Sequence, residues 1–365
     1  MRLDPESEQR LSHIGWRPGT LHDNGLTDTA PDNVFPARVI EQHRVGYRLH
    51  DGREAFNAQP APRFLKAVFD PVERPAVGDF VLVVPGTPAQ IERVLPRRSM
   101  FSRAAAGETH RRQIIATNID TVFVLTGLDG DFNPARIERY LVLVASSGAR
   151  PVIVLTKTDI AADAETAIAS LRERIAATID VIAINSKSPE SVAPLLAWLQ
   201  PGDTAVLAGS SGVGKSTLTN TLLGESRQST AAVRAHDSRG RHTTTHRALI
   251  ALPSGGCLID TPGMRELKLT GDESVDSEQY NDIEALSEHC RFGDCGHVSE
   301  PGCAVRAALE AGTLDSDRFE HYLKLRDEID AAAESLEARL RRKGETKMLT
   351  KALGKRLHEK YGERS

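Results

Sequence analysis

Gly209-Ser210-Ser211-Gly212-Val213-Gly214-Lys215-Ser216 fits the pattern Gly-x4-Gly-Lys-Ser/Thr. The apolar run Ala205-Val206-Leu207-Ala208 leads into it and reads as a buried strand; Thr217 to Leu223 reads as a helix closed by Gly224. Strand, glycine loop and helix together are the context that makes this pattern a phosphate-binding loop. Glycines let successive backbone N–H groups curl round a polyphosphate, and the helix N-terminus adds its positive dipole end. Lys215 is expected to reach the outer phosphates and the Ser216 hydroxyl to hold Mg²⁺.

Bulk composition narrows the class. The chain has 365 residues, enough for two or three domains. Charged residues make up 26%, the net charge is only −4, and no apolar run is long enough to span a bilayer. A uniformly basic nucleic-acid binder is thereby excluded, so any RNA contact must come from local patches. Met1 to Gln9 is polar and acidic, unlike a signal peptide, and a cytoplasmic location without membrane contact is expected. Three of the four cysteines crowd into one segment, which in such a chain suggests metal before disulfide.

N-terminal to the loop, the texture is first irregular and then β. Residues 1–32 are polar with Pro and Gly breaks, although Leu11, Ile14 and Trp16 are available for docking. From residue 33 to 98, short apolar runs at Ala37–Ile40, Tyr47–Leu49, Val77–Val84 and Ile91–Leu95 alternate with Gly/Asp turns. That spacing predicts a small barrel of OB type, a fold that often carries RNA on one face. Residues 99–112 read as a basic linker, solvated or near phosphate.

Residues 113–273 alternate strands and helices, which implies a parallel, doubly wound sheet. Helices are expected over Asn133–Ser146, Ala161–Ile175 and Val192–Leu199. Three strand ends carry chemistry. Thr156-Lys157-Thr158-Asp159 presents a carboxylate that accepts both N1–H and the N2 amino group of guanine, a pair adenine does not offer. Asn185-Ser186-Lys187 can present a backbone N–H to guanine O6. Asp260-Thr261-Pro262-Gly263 can hold Mg²⁺ through water and face the γ-phosphate with the Gly263 N–H. Thr243-Thr244-Thr245 lies between the phosphate loop and Asp260, and a hydroxyl there, written as Thr244, can join the Mg²⁺ shell while the γ-phosphate is present.

In ordinary GTPases the phosphate loop comes first and the base readers last. Here positions 156–159 and 185–187 precede 209–216, so the domain is circularly permuted. C-terminal to it, residues 274–365 turn helical, with an amphipathic helix expected over Phe319–Leu340. Cys290-x4-Cys295-x-His297-x5-Cys303 packs three thiolates and an imidazole together, a set that suits one structural, tetrahedral Zn²⁺. Arg339 to Arg364 carries ten Lys/Arg against three Glu, the cationic density that nucleic-acid contact requires.

Taken in order, Pro96-Arg97-Arg98-Ser99, Thr-Lys-x-Asp, the phosphate loop, Gly240-Arg241-His242-Thr243-Thr244-Thr245, Asp-Thr-Pro-Gly and the cysteine cluster resemble the RsgA (YjeQ) family of circularly permuted, ribosome-associated GTPases. The resemblance covers roughly residues 35–325, and the cysteine spacing matches it residue for residue. It implies an N-terminal OB-type barrel, a circularly permuted P-loop GTPase domain and a C-terminal helical zinc-binding domain. It also implies GTP hydrolysis to GDP, stimulated by the small ribosomal subunit with its 16S rRNA during late maturation, by a protein expected to be a monomer. Met264 stands where Ras-type enzymes place the water-orienting Gln, so intrinsic hydrolysis is expected to be slow. The resemblance suggests a histidine of the threonine loop instead, which is His242 here. Thr156 replaces the usual Asn, and Asn185 stands where Ser is common, which bears on affinity more than on base identity. The alternative reading is an RNA-binding scaffold whose nucleotide only selects conformation.

Overall fold

The computed structural model describes residues 5–17, 20, 33–66, 69–105, 108–224, 247–261, 269–271, 273 and 278–334. Two compact units result: residues 1–103, 113–267 and 277–281 form one, and residues 104–112, 268–276 and 282–365 the other.

In the first unit, five strands make a barrel: β1 (Phe35–His43), β2 (Gly46–His50), β3 (Ala55–Pro60), β4 (Phe80–Val84) and β5 (Ala89–Val94). They pair in the order β1-β2-β3-β5-β4, and an additional β1–β4 pairing closes the ring. Alternation explains which face is filled. Tyr47 and Leu49 point in while Arg48 points out; Val81 and Val83 join them in the barrel core with Ile91 and Phe64. The other face of β4, Phe80 and Leu82, would be left wet. The helix Pro5–Ser12 and the turn after it cover that face with Leu11, Ile14 and Trp16, and Trp16 meets Phe80 edge-on at 4.9 Å.

Two further strands, β6 (Met100–Ala105) and β7 (Glu108–Thr117), form a hairpin where a basic linker was expected. The arginines before it are structural. Arg97 grips the fully buried Asp79 carboxylate with two hydrogen bonds of 2.7 Å, and Arg98 pairs with Asp120 at 3.2 Å.

The remaining strands are β8 (Thr121–Gly127), β9 (Arg150–Thr156), β10 (Asp180–Ala183), β11 (Thr204–Gly209), β12 (Ala248–Ala251) and β13 (Cys257–Asp260). They lie in the order β10-β9-β8-β11-β13-β12, parallel except for β12. The four central strands are almost wholly buried, as a parallel sheet covered on both faces requires. Helix Pro134–Ala145 starts at the Asn133 cap, with Pro134 in its first turn as expected. Helix Ala164–Arg172 starts later than its apolar pattern suggests, because the Asp163 side chain takes the Thr166 N–H and caps it there. Where a helix over 192–199 was expected, one α-turn, Pro189–Val192, passes into a 3-10 helix, Ala193–Trp198, since Pro194 supplies no N–H.

One residue ties these layers together. Arg38 on β1 is fully buried, and its guanidinium donates to Ile14 O (2.5 Å), Thr204 Oγ1 (2.8 Å), Gly78 O and Asn118 O (3.1 Å each). It also lies over the Phe80 ring at 4.7 Å. Burial pushes its pKa down to about 10, which leaves it charged at neutral pH. Its partners span the N-terminal turn, the barrel, the residue after β7 and the first residue of β11. Glu41 pairs with Ala248, so barrel and parallel sheet run on as eleven strands.

In the second unit, helix Asn281–Ser287, helix Ala304–Glu310 and a helix over 316–334 surround a looped segment. Arg318 pairs with Asp282, and Tyr322 donates to Glu284 at 2.5 Å. The long helix begins before the expected Phe319, and buries Phe319, Tyr322, Leu325 and Ile329 along one face.

Candidate nucleotide site and metal centre

β11 delivers Gly209 to the carboxyl edge of the sheet, between β8 and β13. Gly209 has φ 149°, and a Cβ there would stand 2.5 Å from Leu125 O, so the loop leaves the sheet where no side chain fits. Gly214 (φ 95°) starts the helix Lys215–Leu223 with no side-chain cap, leaving first-turn N–H groups for an anion. The Lys215 ammonium donates to Gly209 O (2.7 Å) and Ser210 O (2.6 Å), folding back over the loop. Burial pushes its pKa down to about 8, opposed by the Asp260 carboxylate; a polyphosphate beside it adds the negative charge that retains the proton. Ser216 and Thr217, in the first helical turn, are half-buried. Asp260, 4% exposed at the end of β13, adjoins Thr261, whose hydroxyl ties to Leu207 O at 2.8 Å on β11. The Ser216 hydroxyl and the Asp260 carboxylate offer oxygens of the kind that could hold Mg²⁺, and Lys215 interacts with the same carboxylate.

The strand ends expected to read the base follow β9 and β10, beyond β8 from the phosphate-loop strand. Thr156 is fully buried, and its hydroxyl donates to Val213 O of the phosphate loop at 2.7 Å. The threonine at this position is thus tied directly to the phosphate loop. Lys157 takes φ 64°, a left-handed conformation rare outside glycine, and its ammonium bonds Asp129 Oδ2 at 2.5 Å. That bond holds the Asp129 carboxyl below its usual range. Thr158 N–H reaches Ile184 O at 3.4 Å, and Asp159 pairs with Lys187 at 3.1 Å, which joins the two base-reading segments. The Asn185 N–H donates to Ser191 Oγ (2.8 Å), and the Asn185 Oδ1 accepts the Lys187 N–H (3.0 Å). Thr221 on the phosphate-loop helix donates to Ser186 O at 2.6 Å. The structure thus brings 156–159, 185–187, 209–217 and Asp260 to one edge of one sheet.

In the second unit, one ligand atom each from Cys290, Cys295, His297 and Cys303 lies within 4.8 Å of the others. His297 Nδ1 faces Cys290 Sγ (3.6 Å) and Cys303 Sγ (3.5 Å). Its Nε2 is 3.2 Å from Ser287 Oγ, whose own proton goes to Ile283 O at 2.9 Å. Nε2 must therefore carry the imidazole proton, leaving Nδ1 as the donor to a metal. Phe319 packs edge-on behind the ring at 6.2 Å. The Glu300 carboxylate accepts the N–H groups of Gly296, Val298 and Ser299, and these bonds push its pKa down to about 2. Cys303 also caps the helix Ala304–Glu310, its sulfur accepting the Arg306 N–H. The donor set fits a metal ion held by four protein ligands with no position left open. Cys257, on β13, is buried in the other unit and is no part of this set.

A family model described as RsgA GTPase matches residues 94–270. The chain is 55% identical over 334 residues to the small ribosomal subunit biogenesis GTPase RsgA of Xanthomonas campestris pv. campestris, covering 90% of this chain and 91% of that protein. The chain belongs to the RsgA family. The RsgA protein of Xanthomonas axonopodis pv. citri is 57% identical over 312 residues, 85% of each chain. Among solved structures, YloQ, a circularly permuted GTPase, aligns with TM-score 0.57 and 25% identity over 82% of this chain and 96% of its own. YjeQ from Thermotoga maritima aligns with TM-score 0.59 and 24% identity over 81% and 98%, a likeness of fold. As an RsgA-family GTPase, the chain is a hydrolase of GTP built on a permuted sheet, with an OB-type barrel before it and a cysteine–histidine cluster after it.

Several expected residues of this RsgA-family site lie outside the described residues: His242, Thr243, Thr244, Thr245, Gly263 and Met264, together with the basic stretch 339–364. Two contributors escaped the sequence reading. Asp129 has no motif around it, and only the fold brings it to Lys157. Ser287 acts through the hydrogen bond behind His297; its position one helical turn after Ile283 is a weak signal.

Proposed function

We propose that this RsgA-family GTPase binds the small (30S) ribosomal subunit through its 16S rRNA and hydrolyses GTP in a subunit-stimulated manner during late maturation. The observation that carries the reading is the gathering of two base-reading strand ends, the phosphate loop and Asp260 at one sheet edge in permuted order. It is supported by relatives at 55% identity whose name is small ribosomal subunit biogenesis GTPase RsgA. In this reading the chain divides into an extension (1–32), an OB-fold barrel (33–98), a linker (99–112), a permuted GTPase domain (113–273) and a zinc-binding helical domain with a basic tail (274–365). It works as a cytoplasmic monomer; among the described residues no helix is long and apolar enough to cross a membrane.

Asp159 reads the N1–H and N2 edge of guanine, with Thr156, Lys157 and Thr158 setting its height; Asn185 and Ser186 serve the O6 side. Gly209 to Gly214 wrap the phosphates with backbone N–H groups, Lys215 adds charge, and Thr217 completes the first helical turn. Ser216, Asp260 and, from the threonine loop, Thr244 would hold Mg²⁺, which would supply positive charge beside the polyphosphate. Gly263 N–H meets the γ-phosphate. His242 orients the attacking water. Cys290, Cys295, His297 and Cys303 hold one structural Zn²⁺, favoured by three thiolates and one imidazole.

His242→Ala tests the assignment. GTP binding is expected to survive while subunit-stimulated turnover drops by about 10²-fold or more, the usual scale for removing a positioned general base. Unchanged stimulated turnover would remove His242 from the mechanism.

A further inference from the structure

Lys157 stands in a backbone conformation that its own side chain does nothing to favour. Its φ of 64° lies in the left-handed region, where a Cβ crowds the following carbonyl and only glycine, with asparagine and aspartate behind it, settles readily. The residue opens a turn: its carbonyl accepts the Ile160 N–H at 3.1 Å, and Asp159 lies inside that turn. The direction in which Asp159 leaves β9 is therefore set at Lys157. Strain of this kind persists only where neighbouring contacts hold it.

The holding contact comes from the next strand. β8 runs between β9 and the phosphate-loop strand β11, and Asp129 follows its end by two residues. The Asp129 carboxylate uses both oxygens. Oδ1 accepts the Asp131 N–H at 3.2 Å, which fixes the carboxylate on its own loop, and Oδ2 takes the Lys157 ammonium at 2.5 Å. Gly127 leaves room for the pair, since a Cβ there would stand 2.7 Å from Asp129 Oδ1 and 3.3 Å from Lys157 Cδ. A backbone bond joins the same two strand ends, from the Leu128 N–H to Thr156 O at 2.9 Å. Both charged side chains are half-buried, so water and salt screen this pair less than one on the open surface.

We propose that Asp129 is a positioning residue for guanine recognition: it holds Lys157 in the left-handed conformation and thereby aims Asp159 at the base edge. This rests on the base-site reading above. Asp129 acts through the Lys157 backbone and needs no contact with the nucleotide. An amide at position 129 has one oxygen where the carboxylate has two, so it cannot serve the Asp131 N–H and Lys157 in the same way, and it carries no charge.

The test compares Kd for GDP across variants of the intact chain. Lys157→Gly and Lys157→Ala both remove the ammonium, but only glycine takes a φ near 64° without cost. Lys157→Gly should bind GDP roughly fivefold or more tightly than Lys157→Ala, the scale of the left-handed penalty. Asp129→Asn should weaken GDP binding by a similar factor in the wild type and change nothing further in Lys157→Gly. Inosine diphosphate, which lacks the N2 amino group, separates aim from folding. Asp129→Asn should narrow the ratio of inosine diphosphate to GDP Kd values, whereas a loss of structure alone would weaken both nucleotides equally. Equal affinities of the glycine and alanine variants, an unchanged ratio, or an Asp129→Asn cost that persists in Lys157→Gly would each overturn the proposal. Asp159→Asn is measured beside them with guanine and xanthine nucleotides. If that variant fails to shift towards xanthine, the base site itself is misplaced; if it shifts while the Lys157 variants bind alike, only the role of Asp129 is wrong.

Discussion

Thr156 illustrates what a single residue decides. At the first position of the segment proposed to read the base, Thr156 ties to the phosphate loop with one 2.7 Å bond to Val213 O in a fully buried setting. Removing the donor while keeping the shape leaves a buried carbonyl without its partner, at a cost of about 1–3 kcal/mol. Thr156→Val is therefore expected to weaken GDP binding roughly tenfold at equal strength of the Asp159 contact. Binding of a fluorescent GDP analogue, compared with Thr156→Asn, checks this; an asparagine that restores affinity identifies the brace, and a valine variant with wild-type affinity removes it. The same reasoning separates Lys157 from Lys215. Lys157 is bound to a carboxylate in a left-handed backbone, which sets loop height, whereas Lys215 folds over carbonyl oxygens inside the loop.

At the scale of elements, the joint around Arg38 carries the most weight. Its guanidinium bonds four oxygens that come from four separate parts of the chain. Arg38→Met would keep the stem and orphan those acceptors, with an expected loss of about 2–4 kcal/mol. Denaturant unfolding followed by the fluorescence of the buried Trp16 reads it, and an unshifted midpoint would contradict it. The metal loop is the second such joint, since Cys303 is both a ligand-set member and the cap of Ala304–Glu310. Cys303→Ser is expected to bring bound zinc from one per chain to near zero, measured by elemental analysis; full retention of zinc would place the metal elsewhere. These joints mark the limit of what was legible beforehand. Strands such as β8 and β11 were readable because burial on both faces gives continuous apolar runs. β3 was missed because its segment Ala55–Pro60 has Phe56 as its one large apolar residue and sets the small buried Ala58 between exposed Asn57 and Gln59. The β6–β7 hairpin was missed because arginines and alanines break its alternation, and few inward residues, Phe101, Ile114 and Ile115 among them, carry the pattern. Leu11, Ile14 and Trp16 were visible as apolar, but their acceptor face on β4 lies more than sixty residues away in sequence.

At the scale of the whole molecule, the permuted order is what distinguishes this GTPase. Moving the chain ends leaves the sheet order and the carboxyl-edge site intact, because ligand contacts come from strand ends and the cut falls in a surface connection. The site was legible at motif positions for that reason: each motif is local in sequence, and only the braces between motifs, Asp129–Lys157 and Thr156–Val213, needed the fold. What the permutation changes is the downstream connection. The segment after Gly263 now leads on to the cysteine–histidine cluster, so the phosphate loop and Asp260 precede that cluster along the chain. A GTPase that lacks the Ras-type glutamine and is built this way should be slow alone and fast on its target. The most direct measurement is multiple-turnover GTP hydrolysis by the intact protein with and without purified small ribosomal subunits. The account predicts slow basal turnover and an increase of about 10²-fold or more when subunits are added, the scale on which a supplied catalytic geometry acts. Equal rates with and without subunits would contradict it and leave the nucleotide as a conformational selector on an RNA-binding scaffold.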